Sequence, residues 1–109
     1  MRSQVRFFDV RTKRAYESLR EGDDADRRLY GSITGALDAL EANAFCGVQI
    51  PKRIIPKPYA SRGVRNVWKY DLPNGWRLIY SVLAGDSVVV SLVIEWFDHK
   101  NYERRFGYS

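Results

Sequence analysis

Two stretches in the second half of the chain carry the clearest pattern. From Asn66 to Leu72 (NVWKYDL) and from Trp76 to Leu83 (WRLIYSVL), apolar and polar residues alternate with the period of two that marks a half-buried strand. Between them stand Pro73, Asn74 and Gly75, and Asn-Gly suits the positive φ values of a type I′ hairpin. After a second turn signal, Ala84-Gly85-Asp86, comes the apolar run SVVVSLVIEW. Three consecutive antiparallel strands, a β-meander, are therefore predicted. Within the middle strand the period assigns faces: Trp76, Leu78, Tyr80 and Val82 share one, and Arg77, Ile79 and Ser81 share the other.

The first half reads differently. QVRFFDV, from Gln4 to Val10, is short and rich in β-formers, so it predicts an opening strand, after which Thr12 is placed to cap a helix. Good helix formers run from Lys13 to Glu21, with Ala15, Tyr16 and Leu19 on one side and Gly22 at the expected end. In GDDAD, Asp23 or Asp24 is the next N-cap, and Leu29, Ile33, Ala36, Leu37, Leu40 and Ala44 then recur at helical spacing. Gly31 and Gly35 interrupt this second helix; their spacing fits close packing against the first helix, and equally a chance pairing. From Phe45 to Gly63, three prolines and two glycines predict a long loop with extended pieces, the kind of segment that often carries function. The terminal DHKNYERRFGYS is polar and long enough for one or two helical turns.

These elements make a single α+β domain spanning residues 1–109, too short for two cores. Three Trp, seven Tyr and five Phe are too many aromatics for a disordered chain. No apolar run approaches the roughly 20 residues that cross a bilayer, and the N-terminus lacks a signal-peptide core, so neither membrane nor export is expected. Cys46 is the only cysteine, which rules out an internal disulfide and a cysteine zinc cluster and fits a reducing cytoplasm.

Net charge is +5, and its location is more informative than its size. Between Ala42 and Tyr70 lie six basic residues, Lys52, Arg53, Lys57, Arg62, Arg65 and Lys69, and no acidic one. The remaining 12 basic residues stand against 13 acidic ones, so the excess is local. Such a one-signed stretch attracts the phosphates of a nucleic acid; the alternatives are a solvated basic loop or a patch that docks an acidic protein.

Candidate chemistry gathers around the meander. Arg77 is either a surface residue paired with Asp71 across the hairpin or a guanidinium fork for phosphate, and Lys69 on the neighbouring strand is either a solvated edge lysine or a second cation over the same groove. His99 is the only histidine, and one helical turn would bring Tyr102 to its side. Imidazole moves protons near neutral pH, and a phenol donates or orients. A lone histidine can equally be structural. No glycine-rich phosphate loop, GxSxG elbow or common zinc motif occurs, so no metal or cofactor is expected.

The order strand, two helices, basic loop and meander, together with GWRLIY, VVVSLVIEW and DHKNYERRF, resembles the RelE/ParE superfamily of toxin–antitoxin toxins, closest to archaeal-type RelE-like proteins. The resemblance spans nearly the whole chain, with its specific part in the last 45 or so residues. It implies a RelE-like fold: an N-terminal strand and two helices packed on a mostly antiparallel four-stranded sheet that ends in the meander, then a short C-terminal helical turn. It also implies a cytoplasmic, ribosome-dependent, metal-independent messenger RNA endoribonuclease. In such cleavage the ribose 2′-hydroxyl attacks the adjacent phosphate, which requires a proton acceptor, cations for the added charge and a donor to the leaving oxygen.

By that resemblance Arg77 matches the strand arginine that holds the scissile phosphate. Tyr102 matches the tail tyrosine that orients or stacks on RNA, and His99 the histidine that acts as general base or acid. The family's better-known members carry two lysines on alternate positions of the strand before the turn, where ungapped alignment here places Trp68 and Tyr70. Lys69 falls one register off. A shifted hairpin would return Lys69 to the catalytic groove, or Lys52 and Lys57 would substitute from the loop, leaving Trp68 and Tyr70 as stacking surfaces for bases. The implied partners are a cognate antitoxin, the ribosome and messenger RNA. Two other readings stand beside this one: a non-catalytic module that binds RNA or an antitoxin, and a ParE-like gyrase inhibitor, against which His99 argues.

Overall fold

The meander forms as its alternation predicts. In the computed structural model, which describes residues 1–107, β3 (Trp68–Asp71), β4 (Arg77–Ala84) and β5 (Val89–Phe97) are antiparallel neighbours. Asn74 and Gly75 take positive φ values of 61° and 79°, but Pro73 joins them in a three-residue 3-10 turn closed by the Leu72 N–H on the Trp76 carbonyl at 2.8 Å. The first strand, β1 (Gln4–Phe7), lies parallel to β5, and a two-residue strand, β2 (Val48–Gln49), pairs with β3. The result is a mixed sheet of five strands in the order β1-β5-β4-β3-β2, one more than the four expected. Two residues are too few to leave a readable alternation, so β2 has no signature in the sequence.

Helix α1 (Val10–Leu19) starts earlier than Thr12 suggests, because Asp9 is its cap: the Thr12 N–H donates to the Asp9 carboxylate at 2.8 Å. It also ends early, with Arg20 and not Gly22 at its C-cap. Asp23 caps α2 (Asp24–Ala42) in a reciprocal box with Asp26. Gly31 and Gly35 face open space, so they do not mediate close packing against α1.

Each face of the sheet carries its own core. On one, Ile33, Ala36 and Leu40 of α2 pack against Leu78, Tyr80, Val82 and Val93. On the other, Ile79 and Ile94 are covered by Tyr59, Val64 and Val67 from the connection between β2 and β3, and by Tyr102 and Phe106 of α4 (His99–Phe106). The sheet is the middle of three layers, which explains why β5 reads as a continuous apolar run. An irregularity opposite Ile79 and Tyr80 passes over Ile94 and lets it join Ile79 in the second core.

The segment expected to be a loop is folded down as that second cover. It contains a 3-10 turn (Lys52–Ile54) and α3 (Lys57–Ala60), and it buries Ile50 and Tyr59, with Val64 and Val67 buried just beyond it. The Asn66 side chain then imitates a strand: it accepts the Val82 N–H at 2.8 Å and donates to the Val82 carbonyl at 2.9 Å. Helix α4 begins at an Asp98 cap and ends at left-handed Gly107, two turns as the sequence allows; Tyr108 and Ser109 lie outside the described residues. Among the described residues no helix is long and apolar enough to cross a membrane.

Candidate functional site

Strand register decides which side chains meet. Asp71 lies opposite Arg77 and Lys69 opposite Ile79, so Lys69, Asp71, Arg77 and Ile79 all point to the face away from α1 and α2. Lys69 therefore reaches Arg77's face without any shift of the hairpin. Trp68 and Tyr70 point the opposite way and pack against the α2-side core, with Trp68 beside the rings of Phe45 and Tyr80. Trp68 and Tyr70, expected as stacking surfaces for bases, therefore lie on the face opposite Arg77, packed against the α2-side core.

One oxygen of Asp71 joins the two cations. Its Oδ1 lies 3.0 Å from Lys69 Nζ and 2.9 Å from Arg77 Nε. The Asp71 side chain is 58% exposed, whereas those of Lys69 and Arg77 are 23% and 19% exposed. The pairing of Arg77 with Asp71 across the hairpin, one of the two sequence alternatives, is thus present, and it covers two cations that are themselves mostly buried. Arg77 is further held by the Trp76 carbonyl at 3.3 Å and by the Tyr102 ring, whose centre is 5.7 Å from the guanidinium carbon.

Tyr102 is therefore a support. Its side chain is buried with Phe106 in the second core, which leaves no ring face for a nucleotide base. His99, at the head of the same helix, turns outward: its imidazole is 62% exposed and pairs with Glu103 one turn on. A side chain on Gly75 would approach the His99 Cβ to 3.3 Å, so His99 stands over the turn that leads into Arg77.

Next to Arg77 across the sheet is Phe97, and from it a groove of about 630 Å³ runs between α4 and the Pro56–Pro58 segment, lined by Asn101, Arg104 and Arg105. Arg105 rests over the Phe97 ring at 5.3 Å. Lys57 lies between the two groove prolines, and Lys52, Arg53, Arg62 and Arg65 are exposed along the same cover. Of these, Arg62 is engaged at the far edge, 3.2 Å from Asp9 and over the Phe8 ring at 4.2 Å. Arg104, Arg105 and Phe97 are groove residues that the sequence-based site lacks, although the doubled arginine near the end of α4 is a legible basic signal.

Glu95, on this face opposite Ile79, accepts a short hydrogen bond from the Tyr59 hydroxyl. Burial first, and then the carboxylate beside it, push the Tyr59 phenol well above its ordinary value. This pair fastens the cover to β5. Among the described residues no three His, Cys, Asp or Glu side chains converge as a metal ion would need. Comparison with protein-family models, curated proteins and solved structures gives no match, so the chemistry of this face rests on its own residues.

Proposed function

We propose that this face engages single-stranded RNA, and that the chain is the toxin of a toxin–antitoxin pair, cutting messenger RNA in the ribosome. The observation that carries the reading is the convergence of Lys69 and Arg77 on a single point within 3.0 Å of both, with Arg77 on the strand next to Phe97, which lines a groove with Arg104 and Arg105. An oxygen of a scissile phosphate at that point would be met by an ammonium and a guanidinium, which suits the charge that builds on phosphorus during attack by the 2′-hydroxyl. Tyr102 would keep Arg77 in place, and His99, exposed beside the preceding turn, would carry the proton. The groove past Phe97 to Arg104 and Arg105 would follow the neighbouring nucleotides.

Purified protein acting on a ribosome-bound message tests this. Wild type should cut in the A site, Arg77→Ala should not cut at all, and His99→Ala should cut slowly. Intact message with wild type, despite RNA binding, would favour the second reading, a non-catalytic RNA-binding module. The pairing of His99 with Glu103 and the burial of Tyr102 are the observations on that side.

A further inference from the structure

The oxygen that Lys69 and Arg77 share already belongs to a carboxylate. We infer that Asp71 is a stand-in for the phosphate, filling the anion seat of the free protein and leaving it when a nucleic-acid strand arrives. This inference rests on the RNA reading of the face.

The asymmetry of the three side chains supports it. Lys69 and Arg77 are mostly buried, and Arg77 is tied to the Trp76 carbonyl and the Tyr102 ring, so its guanidinium keeps its position whether or not Asp71 is there. Asp71 is the last residue of β3, more than half exposed, and a rotation of its side chain carries the carboxylate into water. Because the two cations are mostly buried, they would be left uncompensated by an empty seat, so Asp71 leaves only as another anion takes its place. The carboxylate and a phosphate oxygen present a similar partial charge to the two cations, and either accepts a hydrogen bond from Lys69. Both cannot occupy the point at once.

A consequence for specificity follows. A lone oxyanion gains at this seat little more than it displaces, whereas a strand that also reaches Phe97, Arg104 and Arg105 gains contacts that Asp71 does not contest. Asp71 thereby biases the site toward a polyanionic strand and against a mononucleotide or inorganic phosphate.

The test is fluorescence anisotropy with a labelled twelve-nucleotide single-stranded RNA, on wild type, Asp71→Asn, Asp71→Ser, Arg77→Ala and the Asp71→Asn/Arg77→Ala double variant. Asp86→Asn, at the exposed tip between β4 and β5, controls for net charge alone. Asp71→Asn and Asp71→Ser should tighten binding by about fivefold or more, since the incoming phosphate no longer has to displace a carboxylate from the two cations. The salt dependence should steepen by roughly 0.7 in log–log slope as one more cation becomes free to take a phosphate. The double variant should lose most of that gain, and Asp86→Asn should show none of it. Unchanged or weaker binding by folded Asp71 variants, with Arg77→Ala still weak, would overturn the stand-in and make Asp71 a positioning residue. An equal gain from Asp86→Asn would overturn it too. If Arg77→Ala binds like wild type, the RNA reading of this face fails first, and the stand-in with it.

Discussion

The guanidinium of Arg77 lies over the ring of Tyr102, 5.7 Å from its centre, so a cation on the central strand β4 is held by a residue of the last helix. Tyr102 is also one of the buried members of the second core. Tyr102→Ala should therefore destabilise the fold by about 3 kcal/mol or more, as large aromatic truncations do, and weaken RNA binding as well. Tyr102→Phe keeps the ring and should cost far less on both counts. Urea unfolding and RNA anisotropy on the two variants would separate ring from hydroxyl.

Glycines of similar appearance in the sequence should respond in opposite ways. Gly31 and Gly35 sit in α2 with open space where a Cβ would go, so alanine at either should stabilise by about 0.5–1 kcal/mol. At Gly47 a Cβ would collide with the Lys69 carbonyl and come within 2.6 Å of the Tyr80 hydroxyl, and alanine there should destabilise by about 1–3 kcal/mol. Midpoints of urea unfolding read both signs.

The edge of β4 beyond its pairing with β3 is closed by one side chain. Asn66→Ala removes the partner of both the N–H and the carbonyl of Val82, and should cost about 1–3 kcal/mol. Asn66→Asp should be no better, since a carboxylate accepts from the N–H but gives nothing to the carbonyl. Faster amide exchange at Val82 in Asn66→Ala would locate the effect.

Alkaline pH should loosen the fold through its buried phenols. Burial pushes Tyr80 up to about 12 from its ordinary 10, and Tyr59 is pushed up as well. Between pH 10 and 12 the unfolded chain releases the Tyr80 proton while the folded chain keeps it, so stability is full below pH 10 and falls as pH rises through the folded value. Tyr80→Phe loses the hydrogen bonds to the Ala44 carbonyl and the Gly47 N–H and should be less stable at pH 8, yet decline less steeply between pH 10 and 12.

The meander, both main helices and the facing of Arg77 are legible in the sequence because local period and tertiary burial agree there. Arg77 and Ile79 turn away from Leu78 and Tyr80 as a period of two requires. The connection from Phe45 to Gly63 is misread because prolines and glycines signal turns and say nothing of what packs beneath them: Tyr59 anchors it through Glu95, a contact between residues 36 apart. Tyr102 is misjudged for a related reason, since a single turn of helical spacing places it near His99 without revealing which of the two faces the core. For Lys69 the strand period and the hairpin already allow a place beside Arg77, which the register provides, and it is only the alignment to a pattern from other chains that puts it out of step.

Amide NMR of the isotope-labelled protein, titrated with a short single-stranded RNA at low salt, asks most directly whether nucleic acid lies where Lys69 and Arg77 converge. Shifts should concentrate at Lys69, Asp71, Arg77 and Phe97 and along α4, with α1 and α2 unmoved. Shifts confined to α1 and α2, or none at saturating RNA, would contradict an RNA site on this face.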